Sequence, residues 1–277
     1  MKVFISIDLE GVSGVCHLGQ TEHGTDEWQA ARQLMRGDLD AVLEGCLEGG
    51  ADEVVVCDAH DRGDNLAAVG LPAGVSLVSG GGMDLSMMAG LDASFDAVMM
   101  VGYHARAGTA GATLAHTYIF GIAEAAVCGG PEDEVATGEL GLNAALAGAL
   151  GVPLVFACGD DKLGTEARAL VPGVETVTVK EGLAWTGARL FAPARRRLER
   201  PLAARALRPP RLVRQRRRLS RRDQARRHHD RDRRSRLAGR LRPLRRQRPP
   251  RLLRLGARRS HACLSADDGV ARRPRRS

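Results

Sequence analysis

The feature that most limits what this chain can fold into is a change of character near residue 190. Residues 1–190 carry 9 Lys+Arg against 27 Asp+Glu, whereas residues 191–277 carry 32 basic residues against 6 acidic ones. The net charge of +8 therefore describes neither half. From residue 192 onward there is no aromatic residue, no Ile, no Met and no Lys, and every basic residue is an arginine. Such a stretch repels itself and has little with which to offset the entropy of ordering its backbone. The expected division is thus a folded domain over 1–190 and an arginine-rich tail over 191–277 without a native fold.

The tail admits three readings. Lysine and arginine serve almost equally on a solvated surface, so a 32-to-0 split points to nucleotide composition rather than to selection on the protein. Out-of-frame reading of a GC-rich gene, beginning near residues 190–201, produces this bias, and translating the gene in its other two frames decides the matter. The functional alternative is an arm that neutralises nucleic-acid phosphates. It lacks the interleaved aromatics that stack on bases, so nucleic acid is not the expected partner. The third reading is a solvated segment with no evolved role.

Residues 1–190 alternate short apolar runs with longer stretches of helical periodicity. Lys2–Asp8, Glu53–Cys57, Val75–Val78, Asp96–Val101, Leu154–Cys158 and Val174–Val179 read as strands. Asp26–Gly49 has Leu34, Met35, Leu39, Val42, Leu43 and Leu47 at helical spacing and ends in Gly49-Gly50. Glu139–Leu150 and Asp160–Leu170 also read as helices. Tyr118–Cys128 reads as a strand or hairpin ahead of Gly129-Gly130-Pro131. Strands alternating with helices of this length predict an α/β fold with a mainly parallel sheet and flanking helices. The six cysteines (16, 46, 57, 128, 158 and 263) form no C-x-x-C pair, which argues against a finger-type zinc site and for reduced thiols. The opening MKVFISID reads directly as a strand, and no run approaches the ~18 apolar residues of a membrane span. A soluble cytoplasmic protein without a membrane partner is expected.

The chemistry-bearing residues gather at predicted strand ends. Asp8 and Glu10 are two apart; if the strand continues through them, both carboxylates face one side at its carboxyl end, where open α/β sheets bind ligands. Two adjacent acids raise each other's pKa unless a cation lies between them, and a divalent metal is the simplest cation. The alternative is one capping carboxylate and one solvated one. His60 follows the second strand in Asp58-Ala59-His60. His104 follows the fourth in Gly102-Tyr103-His104-Ala105-Arg106. Two imidazoles and two carboxylates on one sheet edge suit zinc. Glu139 opens a helix, where its charge also suits the helix dipole. His116, twelve residues beyond His104, is either a surface histidine or an acid/base near the metal. Asp160 and Asp161 read as helix N-caps or as supports of the site.

Together Ser6-Ile7-Asp8-Leu9-Glu10-Gly11, D-A-H at 58–60, G-Y-H-A-R-A at 102–107, A-H-T at 115–117 followed by I-F-G, and G-E-L-G-L-N at 138–143 resemble the zinc D-aminopeptidase (DppA-type) family through about residue 190. The resemblance implies that Asp8, Glu10, His60, His104 and Glu139 hold two Zn²⁺ per subunit, with Asp8 bridging, and that His116 is the nucleophile or the acid/base. It implies a cytoplasmic aminopeptidase that uses zinc-activated water to release N-terminal D-amino acids such as D-alanine from short peptides. It further implies a ring-shaped homo-oligomer, a decamer in the best-known case. Family members continue past residue 190 with an ordered domain, where this chain has arginine-rich sequence. An inactive product of a frameshifted gene is therefore one reading. Another dinuclear metal amidase or deacylase is a rival for the same metal pair.

Overall fold

The computed structural model describes residues 1–128, 134–191 and 199–208. Nine strands and four α-helices run in the order β1 (Lys2–Ile7), α1 (Asp26–Glu48), β2 (Glu53–Asp58), β3 (Val75–Val78), β4 (Ala97–Tyr103), β5 (Ala125–Cys128), β6 (Glu134–Thr137), α2 (Glu139–Ala149), β7 (Leu154–Asp160), α3 (Asp161–Leu170), β8 (Glu175–Ala184), β9 (Gly187–Leu190) and α4 (Glu199–Ala206). Seven strands form one sheet in the order β3-β2-β1-β4-β7-β8-β9. Every pair in it is parallel except β8–β9. The expected α/β architecture is therefore present.

The sheet is covered on both faces, which explains why its central strands read as unbroken apolar runs. Alternate residues of β1 point to opposite sides. Val3, Ile5 and Ile7 join a cluster with Met35, Leu39, Val42 and Leu43 of α1, and Phe4 joins one with Leu140 of α2 and Leu163 of α3. Burying a side chain of this size contributes about 2 kcal/mol. α1 starts where the Thr25 hydroxyl accepts the Trp28 N–H at 3.0 Å, with Asp26 and Glu27 in the first turn suiting the helix dipole.

Four details differ from the sequence expectation. β1 stops at Ile7: Asp8 N–H makes the last ladder bond, to Val101 O at 2.9 Å, and the next amide, Leu9 N–H, turns to the Asp8 carboxylate at 2.9 Å, so Asp8 and Glu10 lie in a loop and not on a strand face. Of the ambiguous Tyr118–Cys128, only Ala125–Cys128 is strand; it pairs antiparallel with β6, and the turn expected at Gly129-Gly130-Pro131 lies outside the described residues. β9 forms the antiparallel edge. The described elements also continue past residue 190: α4 packs on α1, with Ala203, Ala206 and Leu207 buried. The fit is close. A Cβ added to Gly45 would lie 2.3 Å from Arg200 O, and Arg200 reaches Glu48 at 2.9 Å and Glu44 at 3.0 Å. From residue 209 the arginine-rich segment lies outside the described residues, and with it the expectation that it lacks a fold. Among the described residues no helix is long and apolar enough to cross a membrane.

Candidate metal centre

Strands β2, β1 and β4 are neighbours, so the loops leaving their carboxyl ends meet. His60 follows β2, Asp8 and Glu10 follow β1, and His104 follows β4. Glu139 reaches the same point from the first turn of α2. The β1 and β4 loops touch main chain to main chain, with Gly11 N–H donating to Gly102 O at 2.7 Å. Neither glycine has room for a side chain: a Cβ would stand 1.8 Å from Tyr103 O at Gly11 and 2.2 Å from Asp8 O at Gly102. The latter also has a φ of +64°.

All five side chains are buried, at 2–8% exposure. Asp8 stands between two halves of the cluster. Its Oδ1 is 3.3 Å from His60 Nδ1, which is 3.0 Å from Glu10 Oε2. Its Oδ2 is 3.6 Å from His104 Nε2, which is 3.3 Å from Glu139 Oε2. The three histidines share one arrangement. His60 Nε2 lies 2.9 Å from Thr21 O, His104 Nδ1 lies 3.0 Å from Ala105 O, and His116 Nδ1 lies 2.8 Å from Leu114 O. An N–H donated to each carbonyl leaves the other ring nitrogen, with its lone pair, facing the carboxylates, as metal-ligating histidines are held.

The residues fit a cation. Glu10 Oε2 and His104 Nε2 are fully buried and make no hydrogen bond of regular geometry, facing ionisable groups instead: His60 Nδ1 at 3.0 Å and Glu139 Oε2 at 3.3 Å. Groups left so are costly unless something else satisfies them. Asp8, Glu10 and His104 offer donor atoms within 4.8 Å of one another, and so do His104, His116 and Glu139. Electrostatics say the same. Burial alone would push both imidazoles toward neutrality. Instead, the charges of Glu139, Asp8 and Glu10 raise His104 to about 10, and Glu10 with Asp8 raises His60 well above its ordinary value. Burial opposes ionisation of Asp8 as well, yet His60 and His104 hold its carboxyl well below the usual range. The pocket is built for positive charge, and protons supply it when no metal does.

His116 lies at the mouth, with its side chain 12% exposed and its Nε2 3.7 Å from Glu139 Oε1. Its ring stacks on His104 at 4.1 Å and 9°. The loop that carries it takes left-handed conformations at Leu114 (φ +53°) and Tyr118 (φ +58°), unusual for non-glycine residues. It is pinned at both ends. Leu114 N–H donates to Trp185 O at 2.7 Å, and Tyr118 N–H donates to Glu139 Oε1 at 2.6 Å.

The family model described as D-aminopeptidase matches residues 1–220 of this chain. The curated D-aminopeptidase of Bacillus subtilis (strain 168) is 34% identical over 195 residues, which span 70% of this chain and 69% of the relative. The chain belongs to the D-aminopeptidase family. A solved structure, the Zn-dependent D-aminopeptidase DppA from Bacillus subtilis, described as a self-compartmentalizing protease, matches with a TM-score of 0.70 at 34% identity. The match covers 75% of this chain and 74% of that one.

In this family member, parts of the site's support were not visible as motifs. Lys180 on β8 is fully buried, and its Nζ donates to the main-chain carbonyls of Glu10, Val12 and Val15, tying down the loop after β1. Burial lowers this ammonium to about 8 against the opposing charges of Asp160, Asp38 and Glu10. Beneath the site, Asn143 donates to Tyr103 OH at 3.0 Å, and that hydroxyl is 2.6 Å from Ser6 Oγ. Asp58 accepts N–H bonds from Asn65 and Leu66, while Asn65 Nδ2 donates to His60 O at 2.8 Å. Asp160 caps α3 through Leu163 N–H at 2.7 Å and also accepts Thr113 N–H, from the loop that leads to His116, at 3.2 Å, while Asp161 opens α3 and accepts Gly182 N–H at 3.0 Å.

Proposed function

We propose that this chain is a zinc-dependent aminopeptidase acting on short peptides and releasing N-terminal D-amino acids such as D-alanine. The observation that carries the reading is the buried cluster itself, with Asp8 set between two acid–imidazole halves, His60–Glu10 and His104–Glu139. Family membership and the Zn-dependent relative support zinc as the metal. Asp8, His60 and Glu10 would hold one ion and Asp8, His104 and Glu139 the other. Such a pair, when bound, supplies Lewis acidity toward the scissile carbonyl and lowers the pKa of water.

The chain's own groups do the rest. His116 Nδ1 is fixed to Leu114 O, so Nε2 faces the site and exchanges the proton there. Glu139, 3.7 Å away, stabilises the imidazolium that forms, and the stacked His104 ring limits rotation. A bound metal pair would also offer a position for the substrate's free α-amine, which is the requirement of an exopeptidase. The self-compartmentalizing relative supports a homo-oligomer for this chain as well, and a cytoplasmic location belongs to the same proposal.

The test is a comparison of D-Ala-D-Ala, L-Ala-L-Ala and an N-acylated D-Ala-D-Ala with the zinc-loaded protein. Release of D-alanine from the first, with the acylated peptide left intact, is the expected result. Preference for the blocked amine contradicts the aminopeptidase reading and favours an amidase or deacylase built on the same metal pair.

A further inference from the structure

Glu166 stands outside the ligand cluster, yet it touches both of the chain segments that form one half of it. From α3 its Oε2 accepts the Arg106 N–H at 3.0 Å and its Oε1 accepts the Gly138 N–H at 2.9 Å. Arg106 lies two residues after His104, and Gly138 immediately precedes Glu139. The two segments are also pressed together at this point: a Cβ on Gly138 would lie 2.8 Å from both Cα and Cβ of Arg106. Gly138 is the N-cap of α2 and has no side chain with which to cap it, so the Glu166 carboxylate satisfies an N–H at that helix end and places negative charge where the dipole favours it. Both bonds are charge-assisted, the stronger kind. α3 gives Glu166 a firm base, since Asp160 caps it and Leu163 and Ala167 are buried beneath.

We infer that Glu166 is a positioning residue: one carboxylate clamps the loop after β4 to the start of α2 and so sets His104 against Glu139. Among the described residues the loops of His60 and Glu10 are held instead by Asn65 and Lys180. The clamp therefore acts on one half of the site and leaves the other alone. This inference rests on the reading of the cluster as a two-zinc centre.

The experiment is a zinc titration of the metal-stripped full chain against a competing chelator, for wild type, Glu166→Ala and Glu166→Gln, with amide hydrogen exchange followed at Arg106 and Gly138. In Glu166→Ala one of the two zinc affinities falls about 10–100-fold, the usual cost of losing a support behind a ligand, and the other stays at the wild-type value. Glu166→Gln keeps one carbonyl acceptor and loses less. It also answers the question if the alanine variant does not fold. Exchange at the two amides accelerates in parallel with the loss of affinity. Equal weakening of both ions, or faster exchange with both affinities unchanged, overturns the clamp while leaving the two-zinc reading intact. A wild-type chain that takes up no zinc overturns that reading, and the clamp with it.

Discussion

At the scale of single residues, the site was legible where chemistry coincided with a strand end. Asp8, Glu10, His60 and His104 stood out because each follows an apolar run that had to be a central strand. Glu139 did not, since an acid at a helix start has an ordinary explanation in the dipole. Lys180 could not be read at all. It acts on carbonyls 165 to 170 residues away, and no local pattern records that contact. The residue-scale prediction concerns protons. In the metal-free protein His104, raised to about 10, and His60, raised well above its ordinary value, both carry a proton at neutral pH. A metal ligand must be neutral, so uptake releases these protons. Because the metal-free state binds more protons than the loaded one, apparent zinc affinity rises with pH from 6 to 9, by about tenfold per unit for each proton released. Calorimetric titrations in buffers of different ionisation enthalpy count them. Release near zero at pH 7 contradicts the account.

At the scale of elements, the central strands and three long helices were legible because a sheet covered on both faces leaves continuous apolar runs. The pieces that escaped are short and lie at edges. Glu134–Thr137 and Gly187–Leu190 are four residues each, partly exposed and without alternation strong enough to be read. The strand expected to run through Asp8 ended one residue early because the Leu9 N–H bonds to the Asp8 carboxylate and leaves the ladder, a local side-chain choice that apolar patterning does not record. α4 escaped for another reason: its arginines placed it with the tail, whereas its small residues fit α1. That packing is testable. Gly45→Val puts a side chain where Arg200 O and Ala203 Cβ already stand, at 2.3 and 2.8 Å from an added Cβ. It should destabilise the fold by about 1–3 kcal/mol in urea unfolding, with zinc content unaffected, as overpacking does elsewhere. An unchanged midpoint would show that α4 does not rest on α1.

At the scale of the whole molecule, a doubly covered α/β sheet carries a candidate metal centre built from three adjacent strand ends and one helix start. Its separate parts serve one arrangement. Glycines let the β1 and β4 loops touch, backbone carbonyls orient three histidines, Lys180 ties one loop, and Asp8 lies between two acid–imidazole halves. The most direct test is the metal content of the purified chain and of Asp8→Asn, by plasma emission spectrometry after gel filtration, with circular dichroism to verify the fold. The account predicts two zinc ions per wild-type chain and one or none in the folded variant. A folded wild-type chain that holds no zinc, or an Asp8→Asn variant that keeps both ions, would contradict it.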